Sequence, residues 1–140
     1  MENGSREGLI IAGFGGQGII LVCKLVAQAA MNVGREVTFM PSYGAEVRGG
    51  TANGMIIIDT EPIASPVVTR PDSLMALNKA SLHKFAERIK PGGLLIMNKS
   101  LIDDEPEIDD SIDVVRIPAD DIATELGNPK ATIWLCLAHT

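Results

Sequence analysis

The chain of 140 residues contains only two cysteines, Cys23 and Cys136, and no C-x-x-C sequence. Iron–sulfur clusters and cysteine-rich zinc sites need several closely spaced thiolates. Neither kind of site can be built within this chain, so any electron carrier would have to come from another protein. The sequence also shows no metal-binding constellation and no convincing acid–base pair, so we predict no metal ligands and no catalytic residues.

Clustered positive charge and long apolar segments are lacking as well. The chain has 12 basic and 18 acidic side chains, a formal charge of −6, and no basic stripe of the kind that nucleic-acid-binding surfaces use. No stretch approaches the roughly 20 apolar residues of a membrane span, and residues 1–8 are polar, unlike a signal peptide. We expect one soluble, cytoplasmic domain that binds neither nucleic acid nor membrane.

A glycine-rich loop follows the first apolar strand, Leu9 to Ala12, and precedes a long apolar helix that begins at Ile19. Glycines in the G-x-G-x-x-G spacing expose backbone N–H groups in a tight turn, and the helix N-terminus adds partial positive charge. The loop therefore predicts a phosphate or anion site, with close packing of strand and helix as the alternative. The candidate residues are Gly13, Gly15, Gly16, Gln17 and Gly18.

A dinucleotide site would also need an Asp or Glu at the end of the next strand, about 20 residues on, to bind the ribose hydroxyls. The predicted strand Val37 to Met40 ends instead in Pro41 and Ser42. The nearest acids are Glu36, before the strand, and Glu46, well after it. NAD and FAD are therefore disfavoured as cofactors.

Short apolar strands alternate with helical patterns along the chain, which is typical of an α/β sheet covered on both faces. The first two strands and the intervening helix, Ile19 to Val33, predict a right-handed β-α-β unit with parallel strands. We predict a single Rossmann-like α/β domain with a mostly parallel sheet and helices on both faces. Further strands are expected at Met55 to Ile58, Ser73 to Leu77, Leu94 to Met97 and Val114 to Ile117.

Further helices are predicted in the second half of the chain. One contains His83, interpreted as a solvated histidine because no acid or nucleophile is spaced to join it. Another runs from its cap Asp120 to Leu126, and Asn128 starts a last one. The helix of His83 is predicted to bury Leu82, Phe85, Ala86 and Ile89 and to expose Lys84, Glu87 and Arg88.

Two other patterns have simple structural interpretations. Cys23 lies on the apolar stripe of the first helix and is predicted to be a small core residue. The acidic stretch 103–113 lacks the glycine and the final glutamate of an EF-hand, so we interpret it as a solvated loop. The apolar stripe itself comprises Ile19, Val22, Cys23, Val26, Ala30 and Val33.

A second glycine-rich segment, residues 41–51, directly follows the second strand. It should lie at the same carboxyl edge of the sheet as the first loop, and ligands of open α/β sheets bind at that edge. Its glycines suggest close approach by another molecule, with a surface turn and a weak ion pair as the alternative. The candidate residues are Tyr43, Glu46, Arg48, Gly49 and Gly50.

Three segments together resemble the gamma subunit of 2-oxoacid:ferredoxin oxidoreductases. They are Phe14 to Gly18, Ser42 to Asn53 and Lys90 to Gly93, and the similarity extends from Gly8 to about Asn128. The sequence at Ala45 and from Gly49 to Ala52 is more similar to the 2-oxoglutarate or branched-chain members than to the pyruvate members. Residues 1–140 thus resemble a gamma-type domain (catalytic-domain III-like) without the family's C-terminal end. Its apolar terminus, with Ile133, Trp134, Leu135 and Leu137, is expected to be covered by something else.

The resemblance implies oxidative decarboxylation of a 2-oxoacid, with 2-oxoglutarate the best guess, to an acyl-coenzyme A. Electrons would pass through iron–sulfur clusters to ferredoxin. Thiamine diphosphate with Mg would lie on the alpha and beta subunits and the clusters on other subunits, including a delta subunit. This chain would bind no cofactor alone and would be inactive alone, with coenzyme A as co-substrate of the complex.

By the same resemblance, Gly15 to Gly18 would present N–H donors to a phosphate or a partner backbone. Tyr43, Glu46 and Arg48 would make contacts across the subunit interface. Two alternatives remain open at this point: a free-standing nucleotide-binding α/β protein, and a purely structural assembly module in which the glycine loops only pack against neighbours.

Overall fold

The first apolar strand of the sequence lies inside a six-stranded sheet, with a neighbour on each side. A computed structural model describes residues 6–14, 19–42 and 51–125 of the chain. Apolar and β-branched residues form strands where the sequence predicts them, because such side chains pack well on a pleated surface. The strands are β1 (Glu7–Phe14), β2 (Glu36–Ser42), β3 (Thr51–Asp59), β4 (Ser73–Ala76), β5 (Leu94–Asn98) and β6 (Asp113–Ile117).

The strands are arranged in the order β2-β3-β1-β4-β5-β6. β1, β4, β5 and β6 are paired in parallel, whereas β3 is antiparallel to both of its neighbours, β1 and β2. Five of the six strands therefore share one direction, as predicted. The predicted β-α-β unit is modified, because β1 and β2 are parallel but separated by β3. Hydrophobic patterning carries no information on strand order, so this insertion could not be predicted.

Three helices cover the sheet in the described part of the chain, and none of them is long and apolar enough to cross a membrane. The first ends at Asn32, so Val33, which was predicted to be buried, is instead 75% exposed. Gly34 follows with φ of +84°, a conformation that favours glycine. The helices are α1 (Ile19–Asn32), α2 (Lys79–Phe85), which continues as the 3-10 turn Ala86–Arg88, and α3 (Ala119–Glu125).

Alternating residues of the strands supply two apolar layers, one on each face of the sheet. Ile10 and Ala12 of β1 pack with α2, while Leu9 and Ile11 pack on the face that α1 and α3 cover. Helices on both faces are thus confirmed. The predicted face of α2 is also confirmed: Leu82, Phe85, Ala86 and Ile89 are buried, and Lys84, Glu87 and Arg88 are exposed.

Helix α1 approaches the sheet closely at Cys23, which is fully buried. Its sulfur lies over Gly54 of β3, where a side chain at position 54 would otherwise be. Burial raises the pKa of the Cys23 thiol to about 12, because desolvation disfavours the thiolate. The prediction that Cys23 is a core residue is confirmed. Gly54 is needed at the contact because a β-carbon there would lie 2.5 Å from Cys23 Sγ.

The start of α3 differs from the prediction. The helix begins at Ala119, so Asp120 is its second residue rather than its cap. The backbone N–H of Ala119 donates to Oδ1 of Asn98, at the end of β5, over 3.2 Å. A cap supplied from 21 residues away cannot be found from local spacing. The predicted end of this helix at Leu126 and the predicted start of another at Asn128 lie outside the described residues.

Candidate functional site

Both glycine-rich segments join the sheet at one edge, where the parallel strands end. β1 ends at Phe14, β2 ends at Ser42, and β3 begins at Thr51. The strand register places Phe14 opposite Thr51 and Ser42 opposite Asn53. The prediction of one shared carboxyl edge is therefore confirmed for the residues that flank the two segments. In open α/β sheets, ligands bind at this edge.

Gly13 is the one candidate site residue that the structure describes, and it does not lie in a loop. It is buried within β1, opposite Ala52 of β3, because pairing with β3 extends the strand through Phe14. The expectation that the loop begins at Gly13 is therefore wrong. The other candidates lie outside the described residues and stay predictions: Gly15, Gly16, Gln17, Gly18, Tyr43, Glu46, Arg48, Gly49 and Gly50.

Three buried asparagines at the same edge were missed by sequence reasoning. Asn53 lies in β3, Asn78 directly follows Leu77 after β4, and Asn98 is the last residue of β5. Each is at most 4% exposed. A polar residue at the end of an apolar strand was the available signal for Asn78 and Asn98. For Asn53 no such signal exists, since the segment around it lacks the apolar residues that predict a strand.

Two of these asparagines hold helices in place. Oδ1 of Asn78 accepts a hydrogen bond of 2.8 Å from the backbone N–H of Ser81 and so caps α2. Oδ1 of Asn98 accepts from the backbone N–H groups of Ser100 and Ala119, which ties β5 to α3. These amides therefore have structural roles that do not depend on any ligand.

Each asparagine nevertheless leaves one amide atom unpaired. Oδ1 of Asn53, Nδ2 of Asn78 and Nδ2 of Asn98 are buried and have no hydrogen-bond partner among the residues described. Most buried polar atoms in proteins are paired, because an unpaired one keeps its full desolvation cost. The carboxyl edge thus carries unsatisfied hydrogen-bonding capacity of both kinds, one acceptor and two donors.

Several charged side chains elsewhere in the described chain form ion pairs with one another. His83, for which the sequence suggested no acidic neighbour, has Asp104 beside it: Nε2 is 3.8 Å from Asp104 Oδ2 and 3.1 Å from the Asp104 carbonyl oxygen. Asp104 lies 21 residues away, so local spacing could not reveal it. His83 is exposed, as predicted. Within residues 6–14, 19–42 and 51–125, no group of three His, Cys, Asp or Glu side chains could hold a metal ion.

The acidic stretch 103–113 is not wholly solvated, because Glu105 anchors it to the sheet. Arg116 of β6 binds Glu105 through two nitrogens, with Nη2 2.8 Å from Oε1 and Nε 3.1 Å from Oε2. Lys99 Nζ lies 2.7 Å from Oε2. The hydrogen bonds from Arg116, and then those from Lys99, lower the pKa of Glu105 to about 2.

The Glu105 contacts predict a pH-dependent contribution to stability. Because its folded-state pKa lies below its unfolded value near 4.5, the contribution is complete above that value and is lost as pH falls from about 4.5 through about 2. Its size is on the order of 1 kcal/mol, since Lys99 and Arg116 are about half exposed. In urea unfolding, Glu105→Gln should be less stable than wild type at pH 7 and nearly equal at pH 2.

The exposed Glu107 offers the matched control, because it forms no ion pair with any described residue. Glu107→Gln should leave the unfolding free energy within about 0.5 kcal/mol of wild type at both pH values. An equal stability difference for Glu105→Gln at pH 7 and pH 2 would contradict the assignment.

The third motif, Lys90 to Gly93, lies at the opposite edge of the sheet, where β5 begins. A cleft at this edge is lined by residues that include Glu7, Asp72 and Lys90. Asp72 Oδ2 accepts from the backbone N–H of Gly8 at 2.7 Å, and its Oδ1 is 3.4 Å from Lys90 Nζ. Burial and then the charge of Asp72 raise the pKa of Glu7. Asp72 thus binds groups of the chain itself, and this motif does not contribute to the carboxyl edge.

Residues 8–139 match the family model of pyruvate ferredoxin/flavodoxin oxidoreductase. The chain belongs to this family. The ketoisovalerate oxidoreductase subunit VorA of Methanothermobacter marburgensis is 38% identical over 121 residues, which cover 86% of this chain and 25% of VorA. The chain therefore spans about a quarter of the length of this curated relative.

Two solved structures of the same family share the fold. The 2-oxoglutarate:ferredoxin oxidoreductase of Magnetococcus marinus, with 2-oxoglutarate, coenzyme A and succinyl-CoA bound, superposes with a TM-score of 0.79 at 26% identity over 91% of this chain and 22% of that chain. The keto/oxoacid ferredoxin oxidoreductase gamma subunit of Geobacter sulfurreducens gives 0.75 at 25% identity, covering 90% of this chain and 70% of that chain. The predicted gamma-type family resemblance and fold are confirmed.

Proposed function

We propose that the chain acts as the gamma-type part of a cytoplasmic 2-oxoacid:ferredoxin oxidoreductase, which converts a 2-oxoacid and coenzyme A to an acyl-coenzyme A and reduces ferredoxin. Family membership over residues 8–139 carries this proposal. The relative named for ketoisovalerate and the structure named for 2-oxoglutarate support two substrate classes. We favour 2-oxoglutarate, with a branched-chain 2-oxoacid as the alternative.

Partner subunits supply the redox and thiamine chemistry in this proposal. Alpha and beta subunits hold thiamine diphosphate and Mg, a delta subunit holds iron–sulfur clusters, and ferredoxin accepts the electrons. The present chain has too few cysteines to ligate a cluster. Its contribution is to complete the site at the carboxyl edge of its sheet, without supplying a catalytic residue.

The two glycine-rich segments are proposed to act together at that edge. Phe14 and Thr51 are paired across β1 and β3, so the first segment begins beside the residue at which the second ends. Gly15 to Gly18 would donate backbone N–H groups to a phosphate or to a partner backbone. Tyr43, Glu46 and Arg48, with Gly49 and Gly50 beside them, would contact the partner subunits.

The proposal is tested by affinity purification of the tagged chain from its native source. Proteins that co-purify are identified by mass spectrometry, and reduction of a ferredoxin analogue is assayed with 2-oxoglutarate, ketoisovalerate and pyruvate in the presence of coenzyme A. Co-purification of thiamine- and cluster-binding subunits, with activity that depends on coenzyme A, is expected. A lone and inactive protein that binds a nucleotide would overturn the proposal in favour of a free-standing nucleotide-binding protein.

Gly16→Val is expected to lower the activity of the assembled complex at least fivefold. The branched side chain covers backbone N–H groups that the loop would present and restricts its backbone. Activity and the KM for coenzyme A are measured in the complex, and the unfolding midpoint is measured in the isolated chain, where little change is expected. Ala29→Val, on the exposed side of α1, adds the same side chain away from the edge and should leave activity unchanged.

The outcome also separates the two roles considered for the glycine segments. Unchanged activity, assembly and coenzyme A kinetics in Gly16→Val would overturn the role of the loop. Weaker assembly with unchanged kinetics per assembled complex would instead indicate a purely structural module.

A further inference from the structure

A second cleft lies at the amino edge of the sheet, where β1 and β4 begin. Its volume is about 300 Å³, at the lower end of the range for small-molecule sites. The floor of the cleft is apolar, because Ile57 of β3 and Val68 are only 3% and 5% exposed. Both residues pack in the apolar layer of α2, so the cleft opens on the α2 face of the sheet. It lies at the opposite edge from the two glycine-rich segments.

Backbone hydrogen bonds fix the walls of this cleft. The N–H of Asp72 donates to the carbonyl oxygen of Gly8 at 2.8 Å, and the N–H of Gly8 donates to Asp72 Oδ2 at 2.7 Å. The N–H of Lys90 donates to the carbonyl oxygen of Pro71 at 2.9 Å. The lining segments around positions 8, 71 and 90 are therefore held to one another without a ligand. A preformed cleft lowers the entropic cost of binding.

Positive side chains line the cleft, although the chain as a whole is acidic. Arg6, Arg70 and Lys90 are three of the 12 basic residues. Arg6 uses Nε to bind Asp59 at 3.1 Å, so its two terminal nitrogens can bind other groups. Arg70 forms no ion pair or side-chain hydrogen bond with any residue in the described part of the chain. Lys90 Nζ is 3.4 Å from Asp72 Oδ1. All three cations thus retain donors that a ligand can use.

The charge balance favours a singly charged anion over a doubly charged phosphate. The three cations are accompanied by two carboxylates, Asp59 and Asp72, so one positive charge is in excess. Glu7 does not change this balance, because it alternates with Gly8 along β1 and lines the first cleft instead. Guanidinium groups bind the two oxygens of a carboxylate with paired N–H donors. A carboxylate therefore matches both the charge and the donors of the cleft.

Apolar surface is available beside these cations. Val67 is 47% exposed and lines the cleft together with Val68 and Ile57. We propose that the cleft binds one carboxylate carried on a short aliphatic chain, with Arg6 and Arg70 binding the carboxylate and Val67 contacting the chain. The group comes either from a free small acid or from the C-terminal residue of a polypeptide. This site does not depend on the proposed function.

The ¹⁵N-labelled full-length chain is titrated with 4-methylpentanoate, a carboxylate on a short apolar chain. The backbone N–H resonances of Gly8, Thr69 and Arg70 should shift with saturation, with a dissociation constant below about 5 mM. The uncharged 4-methylpentanamide, which has nearly the same shape, should bind at least tenfold more weakly. A higher dissociation constant for the acid, or less than a tenfold preference for the acid over the amide, would overturn the proposal.

Arg70→Gln removes a cation that has no ion pair to lose, and Arg88→Gln is the matched control. Arg88 is exposed outside the cleft, with its guanidinium carbon 5.4 Å from the centre of the Phe85 ring. Arg70→Gln should raise the dissociation constant for 4-methylpentanoate at least fivefold, and Arg88→Gln less than twofold. Val67→Ser, which removes apolar surface, should raise it at least threefold. Equal effects of the two arginine variants, or a smaller effect of Val67→Ser, would contradict the site.

N-acetylleucine distinguishes the two sources of the carboxylate. It has the carbon skeleton of 4-methylpentanoate, with an acetylamino group at the position where a polypeptide chain would continue. Tighter binding of N-acetylleucine than of 4-methylpentanoate assigns the site to a polypeptide terminus, and tighter binding of 4-methylpentanoate assigns it to a free acid. Failure to recover partner subunits would overturn the proposed function alone, because these titrations use only the isolated full-length chain.

Discussion

Gly93→Ala is expected to lower the free energy of unfolding by about 3 kcal/mol, the largest loss for any alanine substitution of a described glycine. A β-carbon on Gly93 would lie 2.5 Å from the carbonyl oxygen of Asp72, 2.7 Å from Ile89 Cγ2 and 2.9 Å from the carbonyl oxygen of Lys90. Two of these atoms belong to the backbone, which cannot move aside as a flexible side chain can. The change in the urea unfolding midpoint measures the effect.

The backbone around Gly93 is held by the sheet itself. The Asp72 carbonyl accepts the N–H of Leu94 at 2.9 Å, and the Gly93 carbonyl accepts the N–H of Asp113 at 3.0 Å. Relief of the clash would therefore break pairing among β4, β5 and β6. This is why the loss is expected to exceed that of an ordinary surface substitution.

Gly92→Ala is the matched control, one residue earlier in the same turn. Gly92 has φ of +80°, as the third residue of a type II turn requires, but a β-carbon there would meet nothing within 4 Å. Alanine should cost only about 1 kcal/mol from the left-handed backbone conformation. If Gly93→Ala proved no more destabilising than Gly92→Ala, crowding by Asp72 and Lys90 would not be the reason for glycine at position 93.

Gly54→Ala is expected to cost about 2 kcal/mol, because it forces α1 away from the sheet. Its β-carbon would lie 2.5 Å from Cys23 Sγ and 3.0 Å from Phe39 Cε1. Cys23→Ala removes the closer of these atoms. The loss in free energy of unfolding of the double variant should therefore be smaller, by about 1 kcal/mol, than the sum of the losses of the two single variants. Urea unfolding of the wild type and the three variants gives this coupling energy.

Gly8→Ala serves as a control in the adjacent strand. Its β-carbon would be 3.2 Å from Val68 Cγ1 and 3.6 Å from Asp72 Oδ2, contacts that small side-chain movements can relieve. A loss below about 1 kcal/mol is expected, with no dependence on Cys23. Strictly additive effects of Gly54→Ala and Cys23→Ala would show that the Cys23 contact does not limit the approach of α1.

Part of the candidate site at the carboxyl edge could be predicted from the sequence, and part could not. The glycine spacing and the position of the second segment after β2 predicted that both segments meet at one edge, and the pairing of Phe14 with Thr51 agrees. The position of Asn53 in a strand could not be predicted, because Ala, Asn and Gly have little tendency to form strands. It becomes β-structure only because β1 and β2 pair with it on both sides.

Local patterning by itself determined the α/β class, the positions of most strands, the buried face of α2 and the burial of Cys23, because periodicity directly reports which side chains must leave water. Family membership was also recognisable from short motifs. Only the tertiary structure decided the insertion of antiparallel β3 between β1 and β2, the capping of α3 by Asn98, the Glu105–Arg116 contact and the burial of three asparagines at the carboxyl edge. These features depend on contacts between distant residues, and no local pattern encodes which distant partner a strand end or a polar side chain will meet.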